Sequence, residues 1–180
     1  MAKLIARAAL GERLPFTRAG LTVTAVETGP VSHIAPLKGQ ATQVDEALGA
    51  LGLGWPAPGE VRSSEAARVL WMGREAALLI GAEPPIGLEA VAAVSDQTGA
   101  NAVVRVEGPG VEDMLARLVP VDLRPAALPE DRTVRTLVGH MAASVTRTGD
   151  QEIEIIVMRS MAGTLIHDLT RAIDTWSART

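Results

Sequence analysis

Cysteine is absent from the chain, and that absence removes disulfides, thiolate nucleophiles and cysteine-based zinc or iron–sulfur sites together. The same usage suits a reducing compartment, so a cytoplasmic location is expected. Tyrosine is also missing and phenylalanine occurs once, which leaves three tryptophans and no platform for stacking successive bases. Nor is there an excess of positive charge. The 17 Lys and Arg are mixed among 21 Asp and Glu for a net charge of −4, with no basic stripe to neutralise phosphates, so nucleic acid is not expected as a partner. The longest apolar runs, such as residues 76–82, fall far short of the ~20 residues that span a bilayer, so no membrane partner is expected either.

What remains is an aliphatic protein. Hydrophobic residues make up 47% and charged residues 21% of 180 positions, enough to offset the entropy of ordering and to build one domain or two small packed lobes. Residues 1–19, with Lys3, Arg7 and Arg13 set among apolar positions, read as an N-terminal tail. The segment faintly resembles a targeting peptide but lacks a long apolar region and a cleavage pattern, and it is better read as an amphipathic segment that lies on a partner or frays.

Periodicity is clearest in the second half. Asn101–Glu107 alternates, with Ala102, Val104 and Val106 on one face and Arg105 and Glu107 on the other, as a strand does. Gly108-Pro109-Gly110 ends it and starts a helix whose Val111, Met114, Leu115 and Leu118 form one stripe. Residues 133–138, 141–147 and 152–158 read as strands, the last with Ile153, Ile155 and Val157 opposite Glu152 and Glu154 until Ile156 and Met158 turn its end apolar on both faces. A final helix from Met161 to about Trp176 presents Met161, Leu165, Leu169, Ile173 and Trp176 on one side, with Ser160 as its N-cap.

The first half repeats this plan more weakly, with strands at residues 21–26, 33–37, 70–72 and 76–80 and a helix at residues 42–51 started by Thr42 and Asp45 in capping-box-like spacing. Val44, Ala47, Leu48 and Leu51 superpose in register on Val111, Met114, Leu115 and Leu118, which points to an internal duplication. The expected fold class is α+β: two ββαββ-like lobes, at residues 20–83 and 88–180, with mainly antiparallel sheet and covering helices, joined near Pro84-Pro85 and sharing one core.

Catalytic chemistry finds little to work with. His33, His140 and His167 lie at a strand start, between strands and beside a helical stripe, which are turn or surface settings, and no G-x-S-x-G elbow or short metal-ligand spacing accompanies them. Gly108-Pro109-Gly110 matches no phosphate-binding spacing, and Glu107, Glu112 and Asp113 would repel an anion there. Trp71 reads as core and Trp176 as core or interface. Trp55, in a link rich in Gly and Pro, either anchors a partner surface or packs beneath its own loop.

Four segments, IAPLKGQ, RVLWMGREAALLIG, AVSDQTGANAVVRVEGPGVEDMLARLVPVDL and VMRSMAGTLIHDLTRAI, together span most of the chain from residue 34 onward. Their wording resembles the gamma subunit family of heterotetrameric sarcosine oxidase, which is in turn similar to part of the folate-binding aminomethyltransferases. The resemblance implies that residues 20–180 form one aminomethyltransferase-like domain without the aminomethyl-transfer chemistry, because the acidic pair of that wider group falls on Ile153 and Glu154. It implies no catalytic, metal or cofactor residue in this chain. It implies alpha, beta and delta partner subunits that carry FAD, FMN, NAD, tetrahydrofolate and zinc. Such a complex would oxidatively demethylate sarcosine to glycine and pass the one-carbon unit to tetrahydrofolate, with this chain assisting assembly and stabilising the large subunit. The alternative is a stand-alone protein of the same fold that binds folate or another small ligand. Within the resembling segments, Ser95, Asp96 and Gln97 form the most polar turn and, with Trp55, are the candidate interface or ligand contacts; the competing reading of Asp96 and Ser95 is satisfaction of their own turn backbone.

Overall fold

The computed structural model describes residues 8–179. In chain order these form β1 (Phe16–Arg18), β2 (Leu21–Ala25), β3 (Val31–Pro36), α1 (Ala41–Leu48), β4 (Val61–Ser63), β5 (Arg68–Gly73), β6 (Ala76–Ile80), β7 (Ala92–Asp96), β8 (Asn101–Glu107), α2 (Val111–Leu115), β9 (Thr133–Val138), β10 (Met141–Gly149), β11 (Glu152–Met158) and α3 (Ala162–Ser177). The strands make two sheets, ordered β1-β2-β8-β11-β10-β9 and β4-β5-β6-β3-β7, and every pairing is antiparallel. The α+β class with antiparallel sheets is therefore as expected.

Apolar side chains fall into three clusters, and these define the layers. Alternate residues of the six-stranded sheet, Val104, Val106, Ile153, Ile155, Ala143 and Val145, pack under α2 and α3 through Met114, Leu115, Leu165 and Leu169. On the other sheet, Ile34, Val69, Ala77 and Leu79 pack under α1 through Val44 and Leu48. Val31, Leu70, Leu78 and Ile80 of one sheet meet Val103 and Ile156 of the other between them. The order is thus helix, sheet, sheet, helix, with the single shared core replaced by one core per sheet and a third between the sheets. Burial of each aliphatic side chain contributes about 1.5–3 kcal/mol, which the intersheet residues gain only when both sheets are present.

The duplication is visible in the strand order, since β2-β8-β11-β10-β9 parallels β7-β3-β6-β5-β4. One exchange departs from the expected lobes. β2 precedes β3 in the chain but pairs with β8, as Thr22 with Glu107, while β7 precedes β8 but pairs with β3, as Ser32 with Asp96. Each half therefore lends its first strand to the other, so residues 20–83 and 88–180 are not self-contained sheets. At one corner the sheets are also stitched together, with Val61 N–H donating to the Asp131 carbonyl at 2.9 Å and Thr133 N–H to that of Gly59 at 3.0 Å. The halves differ most after their last hairpins: α3 covers one sheet, whereas only a 3-10 turn, Leu88–Ala90, stands before β7.

Local corrections have physical causes. The amphipathic character assigned to Lys3 and Arg7 lies outside the described residues. Within the segment read as a tail, Phe16–Arg18 is an edge strand too short to show a period-two pattern. Asp45 does not cap α1, because its Oδ1 accepts from Trp55 N–H at 2.6 Å, and Gln40 holds the N-cap position without a side-chain bond. Ser160 sits inside a 3-10 turn, Arg159–Met161, that leads into α3. Trp71 is half-buried rather than core. Gly110 is required by packing: it has φ +80°, and a Cβ there would lie 2.5 Å from the Trp176 ring. The helix after Gly108-Pro109-Gly110 is only five residues long.

Candidate functional site: a charged cleft between the sheets

Ser95 and Asp96 belong to β7 rather than to a turn, and their exposure follows from its place at the edge of the five-stranded sheet. Asp96 Oδ1 accepts from Thr98 N–H at 2.8 Å, and that backbone hydrogen bond is the main cause holding its carboxyl below its ordinary range. Gln97 N–H donates to the Val31 carbonyl at 2.7 Å, and Val31 N–H donates to Thr98 Oγ1 at 3.0 Å. These residues tie the β7–β8 connection to β3. Trp55 is half-buried against the core under α1, in the link that leads to β4 at the opposite edge of that sheet. Ser95, Asp96 and Gln97 therefore stand together at one edge of the sheet, and Trp55 lies apart from them.

The three histidines also lie on separate elements. His33 is half-buried on β3, His140 is exposed in the β9–β10 turn and His167 is exposed on α3. Among the described residues no group of three His, Asp or Glu is arranged to hold a metal ion.

The charged groups that do converge lie on the strand faces opposite the apolar stripes of β8 and β11. Glu154 lies in the middle of β11 with only 1% of its side chain exposed, because the second sheet covers the face that alternation gives it. Its Oε1 accepts from Arg68 Nη2 of β5, so the ion pair bridges the two sheets. Its Oε2 has no hydrogen-bond partner and stands 3.9 Å from Arg105 Nη2 of β8. Arg105 Nε, also without a hydrogen bond, lies 3.1 Å from Glu152 Oε1, close enough for an ion pair but without bonding geometry. Ile153, the neighbour of Glu154, points the opposite way into the helix-side core. The clue available in the sequence was Val103 and Ile156, apolar residues on the same strand faces as Arg105 and Glu154, which mark those faces as covered.

This floor opens into a cleft of about 320 Å³ walled by residues 26–28, 63–68 and 80–81. Gly81 permits the narrow wall, since a Cβ there would meet the Ala66 carbonyl oxygen at 2.7 Å. Glu27 and Glu65 are exposed at the lining of the cleft. The arrangement orders charge at the junction of the sheets and can receive a polar group.

A second buried arginine serves a different purpose. Arg147, 1% exposed, ends the face that Ala143 and Val145 begin on β10. It donates to the carbonyls of Leu128 at 2.8 Å, Leu123 at 2.5 Å, Gly149 at 3.2 Å and Asp150 at 2.6 Å, and to Glu112 Oε1 at 2.8 Å. These bonds fasten the proline-rich connection between α2 and β9 to the sheet.

Two antiparallel sheets back to back, made from a duplicated strand–helix unit with helices outside, define the class: an α+β two-sheet module. Residues 40–173 match the family described as sarcosine oxidase, gamma subunit family, and the chain belongs to that family. It is 30% identical over 139 residues to the sarcosine oxidase subunit gamma of Corynebacterium sp. strain U-96, covering 72% of this chain and 68% of the relative. The corresponding subunit of an Arthrobacter species is 30% identical over 141 residues, covering 73% and 70%. Among solved structures, a chain of heterotetrameric sarcosine oxidase from Corynebacterium sp. U-96, in complex with pyrrole 2-carboxylate, superposes with a TM-score of 0.77 at 25% identity, covering 87% of this chain and 85% of that one.

Proposed function

We propose that this chain works as a subunit of a heterotetrameric sarcosine oxidase, where it assists assembly and stabilises the large subunit without supplying chemistry. The observation that carries the reading is the match along nearly the whole chain to one chain of a solved heterotetramer. A surface fit for association adds support: Ile86 is fully exposed beside Pro84 and Pro85, and Leu37, Leu137 and Met158 are each about half exposed. The partners in this reading are the alpha, beta and delta subunits. The complex demethylates sarcosine oxidatively to glycine and hands the one-carbon unit to tetrahydrofolate, using FAD, FMN, NAD and zinc held by the other subunits.

Co-purification from the native cells with a tagged copy of the chain is the test. Three partner chains, a flavin absorbance and sarcosine-dependent oxygen consumption are expected, and omission of this chain from a co-expressed set should lower the yield of soluble large subunit. Recovery of the tagged chain alone and colourless would overturn the assembly role.

A further inference from the structure

The intersheet cleft has an excess of acceptors that the chain itself does not meet. Of its two guanidinium groups, Arg68 is engaged by Glu154 Oε1 and Arg105 lies against Glu152. Three carboxylates line it, Glu27, Glu65 and Glu154, so once Glu152 is set against Arg105 the remaining charge is negative. Among the described residues the Glu27 and Glu65 side chains make no ion pair or hydrogen bond, and Thr28, whose hydroxyl donates to the Gly29 carbonyl at 3.2 Å, keeps its oxygen lone pairs for a donor. The deepest member, Glu154, is buried on the cleft floor with Oε2 lacking any donor. An unmet carboxylate oxygen in such a place is costly, and a positive donor nearby would relieve it.

A bare metal ion does not suit this arrangement, because the carboxylates of the described residues do not converge in threes on one point. A cation with several N–H groups held apart on a planar or extended frame does suit spaced acceptors. We propose that this cleft binds an organic cation of the guanidinium or alkylammonium type, with Glu27 and Glu65 pairing its N–H groups at the rim and Glu154 supplying attraction from the floor. Small ions of this type fit within about 320 Å³. The same chemistry has two sources, a free small molecule or a basic side chain of a neighbouring subunit. The proposal does not rest on the assembly role.

The test is a titration of the isotope-labelled full chain, followed by two-dimensional amide NMR, with methylguanidinium chloride and ethylammonium chloride against sodium chloride at matched ionic strength. Saturating shifts confined to amides of residues 26–28, 63–68 and 80–81 are expected with the organic cations. In the E27Q/E65Q variant, whose two changes lie on the surface and leave the rest of the spectrum as a check on folding, the apparent Kd should rise by about five-fold or more. Shifts that follow sodium chloride, fail to saturate, or persist undiminished in E27Q/E65Q would overturn the site. Repeating the titration on the assembled complex separates the sources: persistence of the shifts identifies a free ligand, and their loss, with E27Q/E65Q competing poorly for assembly, identifies a subunit's basic side chain.

Discussion

Two arginine–carboxylate clusters sit on opposite faces of the six-stranded sheet, and they are built to different standards. Around Arg147 every donor group is engaged, four carbonyls and Glu112 closing about it away from water. Around Glu154 the bonding is incomplete, with Oε2 and Arg105 Nε both unmet and an open cleft above them. Low local dielectric strengthens a saturated network and penalises an unsaturated one, so the first cluster serves stability while the second holds unmet bonding capacity at a surface opening. The contrast separates structural charge from charge placed for contact.

The comparison predicts unequal costs. Arg147→Ala strands Glu112 and four carbonyls, and a loss of about 3–5 kcal/mol is expected in urea unfolding followed by circular dichroism. A loss below that of the Glu154 variant would erase the distinction between the clusters. Glu154→Ala removes an already incomplete network while leaving Arg68 partly able to reach water, so a smaller loss of about 1–3 kcal/mol is expected. Gly110→Ala sharpens the picture of the closed face: the new methyl collides with Trp176 at a left-handed φ, which should cost about 1–3 kcal/mol and shift the tryptophan emission.

The smallest effect concerns the connection that Arg147 fastens. There Asp122 receives side-chain and backbone hydrogen bonds from Arg124, which bring its carboxyl from 3.8 down to about 2. A carboxyl lowered on folding contributes stability that is present above its unfolded value and lost as pH falls through the folded value, here between about pH 4 and pH 2. Carbon-detected titration should place the Asp122 midpoint near 2, and Arg124→Ala should return it toward the usual range with only a slight loss of stability at pH 7, because the pair is exposed and screened. A clear loss of stability at pH 7 would mean that this exposed pair helps Arg147 close its face.

Strands with strong alternation or continuous apolar runs were legible from the sequence: residues 76–80, 101–107, 133–138 and 152–158 are bounded as the patterns indicate. Short edge strands were not. Val61–Ser63 offers too few residues for a period, and Ala92–Asp96 ends in polar residues whose turn chemistry outweighs its strand character. The candidate cleft was hidden for another reason. A strand pattern tells which residues share a face but not what covers it, so the burial of Glu154 and the approach of Arg105 to it follow only from the second sheet laid over them. Arg147 was likewise the charged end of an apolar face, and only the carbonyls gathered around it account for its burial. The family resemblance needed none of this geometry, because it rests on the wording and order of segments along the chain.

The exchange of first strands fixes an order of events during synthesis. Leu21–Ala25 emerges early and can pair with Phe16–Arg18, but its other edge has no neighbour to bond until Asn101–Glu107 has followed it, after the five-stranded sheet's hairpin is already made. Until then the nascent half carries an unsatisfied β-edge, the kind of surface that chaperones shield and aggregates recruit. A ribosome stalled near Pro84-Pro85 would thus present half a molecule that is not half a fold.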